Sequence, residues 1–283
     1  MIKKYKYQLI LTALGVLLVI VFLFVPSIPP ATGAKPAPMA EARVEAVNFE
    51  QIMAAIKKTL PERQVSFIEK EQNKLAGSKT KSDSLLIQKG LIKYFNDSIH
   101  NFLAEAYYLK NVALLDNSEK NLTFAAQLLV DSMMITNQPA VQNWLASNAK
   151  ELFERSLELN SSNDSSKIGL ASCYIFGNVD NNPMKGILPL REIVQRNPDN
   201  VYAQMVLGLG GRKSGQYDKA IERFTLIVTK HPDNLEAMIN LAECYELKGD
   251  KENAIKWYET FKKKVTNPGI VTELENRINA LKQ

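Results

Sequence analysis

One stretch of this 283-residue chain is written twice. Asn200, Leu207, Gly215, Ala220, Ile221, Phe224 and Pro232 recur 34 residues on as Asn234, Leu241, Gly249, Ala254, Ile255, Tyr258 and, displaced by two, Pro268. Each unit holds two apolar-periodic segments separated by a glycine turn. A unit of that size cannot bury its apolar face alone, so the period predicts helical hairpins stacked into a solenoid. No segment shows the strict alternation of a half-buried strand, so the fold class is all-α.

Earlier units follow by stepping back. Leu170-Ala171 with Tyr174 repeats Leu241-Ala242 with Tyr245, and Asn163-Asp164 is set against Asp199-Asn200. Leu170 and Leu207 are 37 apart, and the three extra residues fall in Asn178–Pro183, a run rich in turn formers where insertion costs little. The second helix of that unit, Pro183–Gln195, has Gly186 where alanine is expected and Leu190 where an aromatic is expected, which predicts looser packing. Ala149 with Phe153, stopping at Asn160-Ser161, gives the second helix of a still earlier unit. Its first helix, around Leu122–Met134, matches poorly. The array therefore runs over 122–268 as three firm repeats and one degenerate one. Residues 269–283, with Ile270, Leu274, Ile278 and Leu281 at helical spacing, read as a capping helix.

These motifs resemble the tetratricopeptide repeat (TPR) family. The first-helix pattern L-G/A-xx-Y stands here as Leu241-Ala242-xx-Tyr245, with Leu207-Gly208 in the unit before. The second-helix pattern A-xxx-F is Ala254-xxx-Tyr258 and Ala220-xxx-Phe224, and Pro232 is the closing proline. The resemblance covers Leu122 to Gln283 and implies a right-handed α-solenoid. It also implies a concave groove, lined by the first helices, where a protein or peptide partner docks. Carried over position by position, the groove takes Ser165, Ile168, Ser172, Ile175 and Phe176 from the first firm repeat. The middle repeat adds Tyr202, Met205, Leu209, Arg212 and Lys213, and the last adds Glu236, Ile239, Glu243, Glu246 and Leu247. That face reads apolar at one end, basic in the middle and acidic at the other. Burial of Ile168, Ile175 and Met205 against neighbouring helices stays open as the plainer reading. Some members clamp a C-terminal carboxylate with lysine and asparagine. The matching positions here are Ile168, Ser172 and Met205, so that clamp is not expected.

Before the array, residues 48–121 form a helical block without a clear 34-residue period. From Asn48 on, and running into the first array helix, the expected helices are Phe49–Lys58, Pro61–Leu75, Ser82–Tyr94, Ser98–Leu115 and Leu122–Met134, started by Pro61 and by Ser82 or Asp83 and broken at Gly77-Ser78, Asn96-Asp97 and Asp116-Asn117. Ile99, Phe102, Leu103, Ala106, Leu109 and Leu114 make an apolar stripe that would pack this block onto the first repeat.

The net charge of +5 is misleading until it is located. Lys3, Lys4, Lys6 and Lys35 are the only charges in the first 40 residues, and the rest of the chain sets 31 basic against 30 acidic side chains. A nucleic-acid binder concentrates positive charge on its folded face, so nucleic acid is not an expected partner. The excess instead flanks Leu9–Val25, which is free of charge. Residues 8–28 approach the roughly 20 residues a helix needs to cross a bilayer. A cleaved signal peptide, with small residues at Ala31–Ala34, is the competing reading, but secretory apolar cores usually run about 7–15 residues. With the lysines ahead of it, the segment places a basic tail, 1–7, in the cytoplasm and the bulk of the chain outside. In a Gram-negative envelope this is a single pass through the inner membrane with a periplasmic C-terminal domain. Residues 29–47, rich in proline and alanine, are a linker. The layout is similar to that of the ancillary Sec translocon subunit.

No enzyme is expected. Gly208 to Gly215 mimics a phosphate loop, but Arg212 interrupts the required order and the repeat register accounts for its glycines. His100 and His231 stand alone, and Cys173 and Cys244 lie two units apart, beyond the reach of a disulfide. No catalytic residues, metal or cofactor are expected. The expected function is a membrane-anchored scaffold that binds a protein or peptide segment in its groove and supports an envelope complex. A holdase-type chaperone for many clients and a cytosol-facing organelle import receptor are the alternatives.

Overall fold

The computed structural model describes residues 47–283. The basic tail, the anchor segment 8–28 and the linker up to residue 46 lie outside the described residues. None of the described helices is long and apolar enough to cross a membrane. Among the described residues there are thirteen α-helices and no strand. They fall into two compact units, residues 47–190 and Arg191–Gln283. The first holds α1 Phe49–Thr59, α2 Glu62–Ala76, α3 Lys81–Tyr94, α4 Phe102–Asp116, α5 Glu119–Ile135, α6 Pro139–Leu159 and α7 Asp164–Phe176. The division falls within α8, Met184–Arg196. The second holds α9 Val201–Lys213, α10 Tyr217–Lys230, α11 Leu235–Lys248, α12 Lys251–Lys262 and α13 Pro268–Lys282.

The period is built by two recurring turns. Between repeats, Asn163, Asn200 and Asn234 each cap a helix, accepting at Oδ1 from the backbone N–H three residues on at 2.9, 3.0 and 2.8 Å. Each also donates its own N–H to the carbonyl three residues back, Asn160, Asn197 and His231. A helix start leaves four N–H groups without intrahelical partners, and an asparagine before it satisfies one of them. The equivalence is thus Asn163 with Asn200, one residue away from the sequence alignment of Asn163-Asp164 with Asp199-Asn200. Within repeats, Gly215 and Gly249 adopt φ of 73° and 85°, a left-handed conformation that residues with a side chain rarely adopt. The N–H after each bonds five residues back, Gln216 to Gly211 at 2.8 Å and Asp250 to Tyr245 at 2.9 Å. This closes the helix with a left-handed residue and lets the chain reverse in two or three residues. The corresponding link between α7 and α8 runs from Gly177 to Pro183, with Asn178, Asp180 and Asn181 at positive φ.

Packing is set where small residues let a neighbour in. A Cβ at Gly208 would stand 2.6 Å from the Phe224 ring, and one at Gly169 would stand 2.1 Å from Phe153. Gly186 behaves likewise: a Cβ there would meet the Ala171 carbonyl oxygen at 2.6 Å, and Leu190 is fully buried. The departure at Gly186 therefore makes for a close approach of α7 and α8, not for slack. Cys173 and Cys244 are free and buried, which pushes both thiols up, Cys244 to about 12.

In the N-terminal block Tyr108 is the hub. Its ring stacks on Phe95 at 5.9 Å and takes Phe49 edge-on at 5.6 Å, and Gln72 donates to its hydroxyl at 2.9 Å. The expected single helix Ser98–Leu115 is interrupted. Phe95–Ile99 forms a π-helical turn that ends at His100 in the left-handed region, and Asn101 caps a fresh helix. The buried residues of α4 are Ala104, Ala106, Tyr108 and Ala113, while Ile99, Phe102, Leu103, Leu109 and Leu114 are only half covered. Alanines admit neighbouring helices closely, and Tyr108 goes inside because its hydroxyl is satisfied there. Lys110 reaches from α4 to Asn148 and Glu151 of α6.

Gly169→Ala is expected to lower stability by about 1–3 kcal/mol through overpacking, outweighing the helix-propensity gain of about 1 kcal/mol. Urea unfolding measures this. Adding Phe153→Leu should recover most of the loss, and a neutral Gly169→Ala would show that α6 and α7 can part without cost.

Candidate functional site

The expected groove residues divide between the two units. In the first, Ser165 is exposed, while Ile168, Ser172, Ile175 and Phe176 are buried. The Ser172 hydroxyl is turned back to the Ile168 carbonyl at 3.1 Å. In the second, Met205, Leu209 and Ile239 are buried, Tyr202, Arg212, Glu243 and Glu246 are half-buried, and Lys213, Glu236 and Leu247 are exposed. The apolar positions are thus largely covered, the outcome left open for Ile168, Ile175 and Met205.

The charged positions form one connected cluster. Arg212 on α9 pairs with Glu243 on α11. Arg277 on α13 lies 3.6 Å from the other Glu243 oxygen and 2.7 Å, through Nε, from Glu246. Tyr258 of α12 donates its hydroxyl to the same Glu246 oxygen at 2.6 Å, and the Arg277 guanidinium lies 5.0 Å from the Tyr258 ring centre. Separate basic and acidic zones are therefore not what the groove presents. Arg212 and Glu243 neutralise one another, because stacking brings the end of α9 beside the middle of α11. Burial is the main influence on Glu243 and raises its carboxyl above its ordinary value. Arg212 and Arg277 pull it down, and Glu246 pushes it further up. Desolvation also lowers the Lys213 ammonium and raises the Tyr258 phenol.

Two members of this cluster, Arg277 and Tyr258, are absent from the expected groove. Tyr258 is the second-helix aromatic, whose hydroxyl shows its partner only after folding. Arg277 lies in the capping helix, and a signal for it was present: it sits 31 residues after Glu246, as Glu243 sits 31 after Arg212.

Beside the cluster, Asn240 is buried on α11. Its amide donates to the Glu236 carbonyl at 2.8 Å, which fixes its orientation, and its Oδ1 has no hydrogen-bond partner among the described residues. At about 100° per residue, Glu236, Ile239, Asn240, Glu243 and Leu247 share one face about 100° wide. Among the described residues no group of three or more histidine, cysteine or carboxylate side chains is placed to hold a metal ion.

Residues 212–268 match the tetratricopeptide repeat family model. That stretch carries the tetratricopeptide repeat pattern. Similar solved structures include MamA, 20% identical over 65% of this chain and 92% of MamA, with a TM-score of 0.42. Another is YrrB, described as a TPR protein with an unusual peptide-binding site, 16% identical over 67% of this chain and 99% of YrrB, with a TM-score of 0.41. Neither likeness bears on a binding site in this chain.

Glu243→Gln tests the electrostatics of the cluster. A carboxyl whose folded value is raised contributes stability that is complete below the unfolded value, 4.5, and lost as pH rises through the folded value. The stability difference between variant and parent should therefore shift in favour of Glu243→Gln from about pH 4 to about pH 8 in urea titrations. A shift in favour of the parent would mean that the ionised carboxylate is net stabilising.

Proposed function

We propose that this chain is a membrane-anchored TPR scaffold. Residues 8–28 hold it in the bacterial inner membrane, and the repeats, on the periplasmic side, seat a protein or peptide segment. In doing so they support assembly of an envelope complex for secretion or protein maturation. The apolar run with its three leading lysines supports the topology.

The observation that carries the binding reading is Asn240. A buried acceptor without a donor costs about 1–3 kcal/mol, and this one lies on the α11 face with Glu236, Glu243 and Leu247. Asn240 Oδ1 is sealed from solvent, so an extended peptide laid along that face supplies its missing donor, a backbone N–H, by drawing the side chain outward. Exposed Leu247 on the same face and half-buried Tyr202 of α9 are the apolar contacts such a peptide would meet.

A photo-crosslinking side chain at Leu247 of the anchored protein should trap one dominant partner in cells. Asn240→Leu should abolish that adduct while leaving the melting temperature equal or higher, since it removes the unsatisfied oxygen. An adduct that survives Asn240→Leu would rule out this role for Asn240, and a smear of unrelated secreted proteins would favour a holdase. For topology, protease should cleave the repeats once the outer membrane is opened. Protection until the inner membrane is lysed would place them in the cytosol.

A further inference from the structure

Helix α5 is apolar on two opposite sides. Its inner side, Leu122, Ala125, Ala126, Leu129, Val130 and Met133, is buried, and α5 packs against α4, α6 and α7. Its outer side carries Phe124, 61% exposed, with half-covered Leu128 and Ile135, 44% exposed. A surface helix ordinarily turns charge outward, and one apolar all round belongs in an interior. Two charges do sit on that outer side, Lys120 and Asp131, both exposed. Neither has an oppositely charged partner among the described residues. Asp131 accepts only from the Gln127 amide at 2.8 Å, and the side chains around it desolvate its carboxyl and raise its pKa.

We propose that a second copy of this chain docks on the outer face of α5, with the two helices antiparallel. Lys120, Phe124 and Asp131 lie within about 40° of one another around the helix, and the two charges are about 16 Å apart along it. A two-fold axis level with Ala125 and Ala126 sets each Lys120 against Asp131 of the second copy, twice. The same axis brings the two Phe124 rings together between the charge pairs. Closed two-fold pairing of one patch with itself is the commonest way identical chains associate. Parallel helices would instead oppose lysine to lysine and aspartate to aspartate. The face is complementary to itself in one direction only.

Sedimentation velocity on the full chain, held in mild detergent because of residues 8–28, tests this. The parent should be a dimer. Lys120→Asp and Asp131→Lys should each weaken it at least about tenfold, because both contacts become like-charged. Mixed together, the two variants should form a dimer again, since each then supplies the charge the other lacks. Phe124→Ser should weaken the dimer with unchanged helicity, the residue being exposed. A parent that stays monomeric at about 100 µM overturns the proposal, as does a dimer indifferent to all three substitutions.

Discussion

Charged side chains 31 residues apart meet four times in the unit 191–283: Asp199 with Lys230, Arg212 with Glu243, Asp233 with Lys264, and Glu246 with Arg277. The number follows from the hairpin. A 34-residue unit returns the chain to an equivalent place one layer on, and roughly one helical turn less brings two side chains face to face. The second and fourth pairs are translations of each other by 34 residues with the signs exchanged. The turns that hold this register, asparagine between repeats and left-handed glycine within them, keep each hairpin in step with the next. Helix faces, the charged cluster and the closing helix all depend on it.

That register decides which side of each first helix is available. On α11 it places Glu243 between two arginines of neighbouring helices and leaves Asn240 buried beside them with one oxygen unanswered. A fold selected only for stability would put an apolar side chain there. Helix α13 does more than cover the apolar face of α12. Ile270, Leu274 and Ile278 are its buried side, and Arg277 carries it into the cluster.

Much of the architecture was legible because it is local. The glycine at a left-handed turn, the asparagine before a helix and the alanine facing an aromatic are each dictated within a few residues, and repetition multiplies the signal. The N-terminal block shows the limit. Its interruption sets Phe95 against Tyr108, and Tyr108 in turn meets Gln72 and Phe49, distant in the chain and without a repeat to announce them. Gly186 was misjudged because, in sequence, a missing side chain looks like a missing contact. In the fold, the absent Cβ lets a backbone approach.

The candidate site was legible as a set of positions but not as a surface. Periodicity names the residues on a helix face. It does not say whether Met205 or Leu209 is covered, or whether Arg212 is a feature of the groove or the partner of Glu243. By itself the sequence determined an all-α array of hairpins, its turns and the faces of its helices, because those depend on side-chain sterics within one or two turns. Only the tertiary structure decided which charges cancel, that Asn240 keeps an unanswered acceptor and that α5 shows Phe124 to solvent. Burial and ion pairing are set by neighbours on other helices, 31 residues away in the recurring charged pairs, and their distances exist only once the hairpins are stacked.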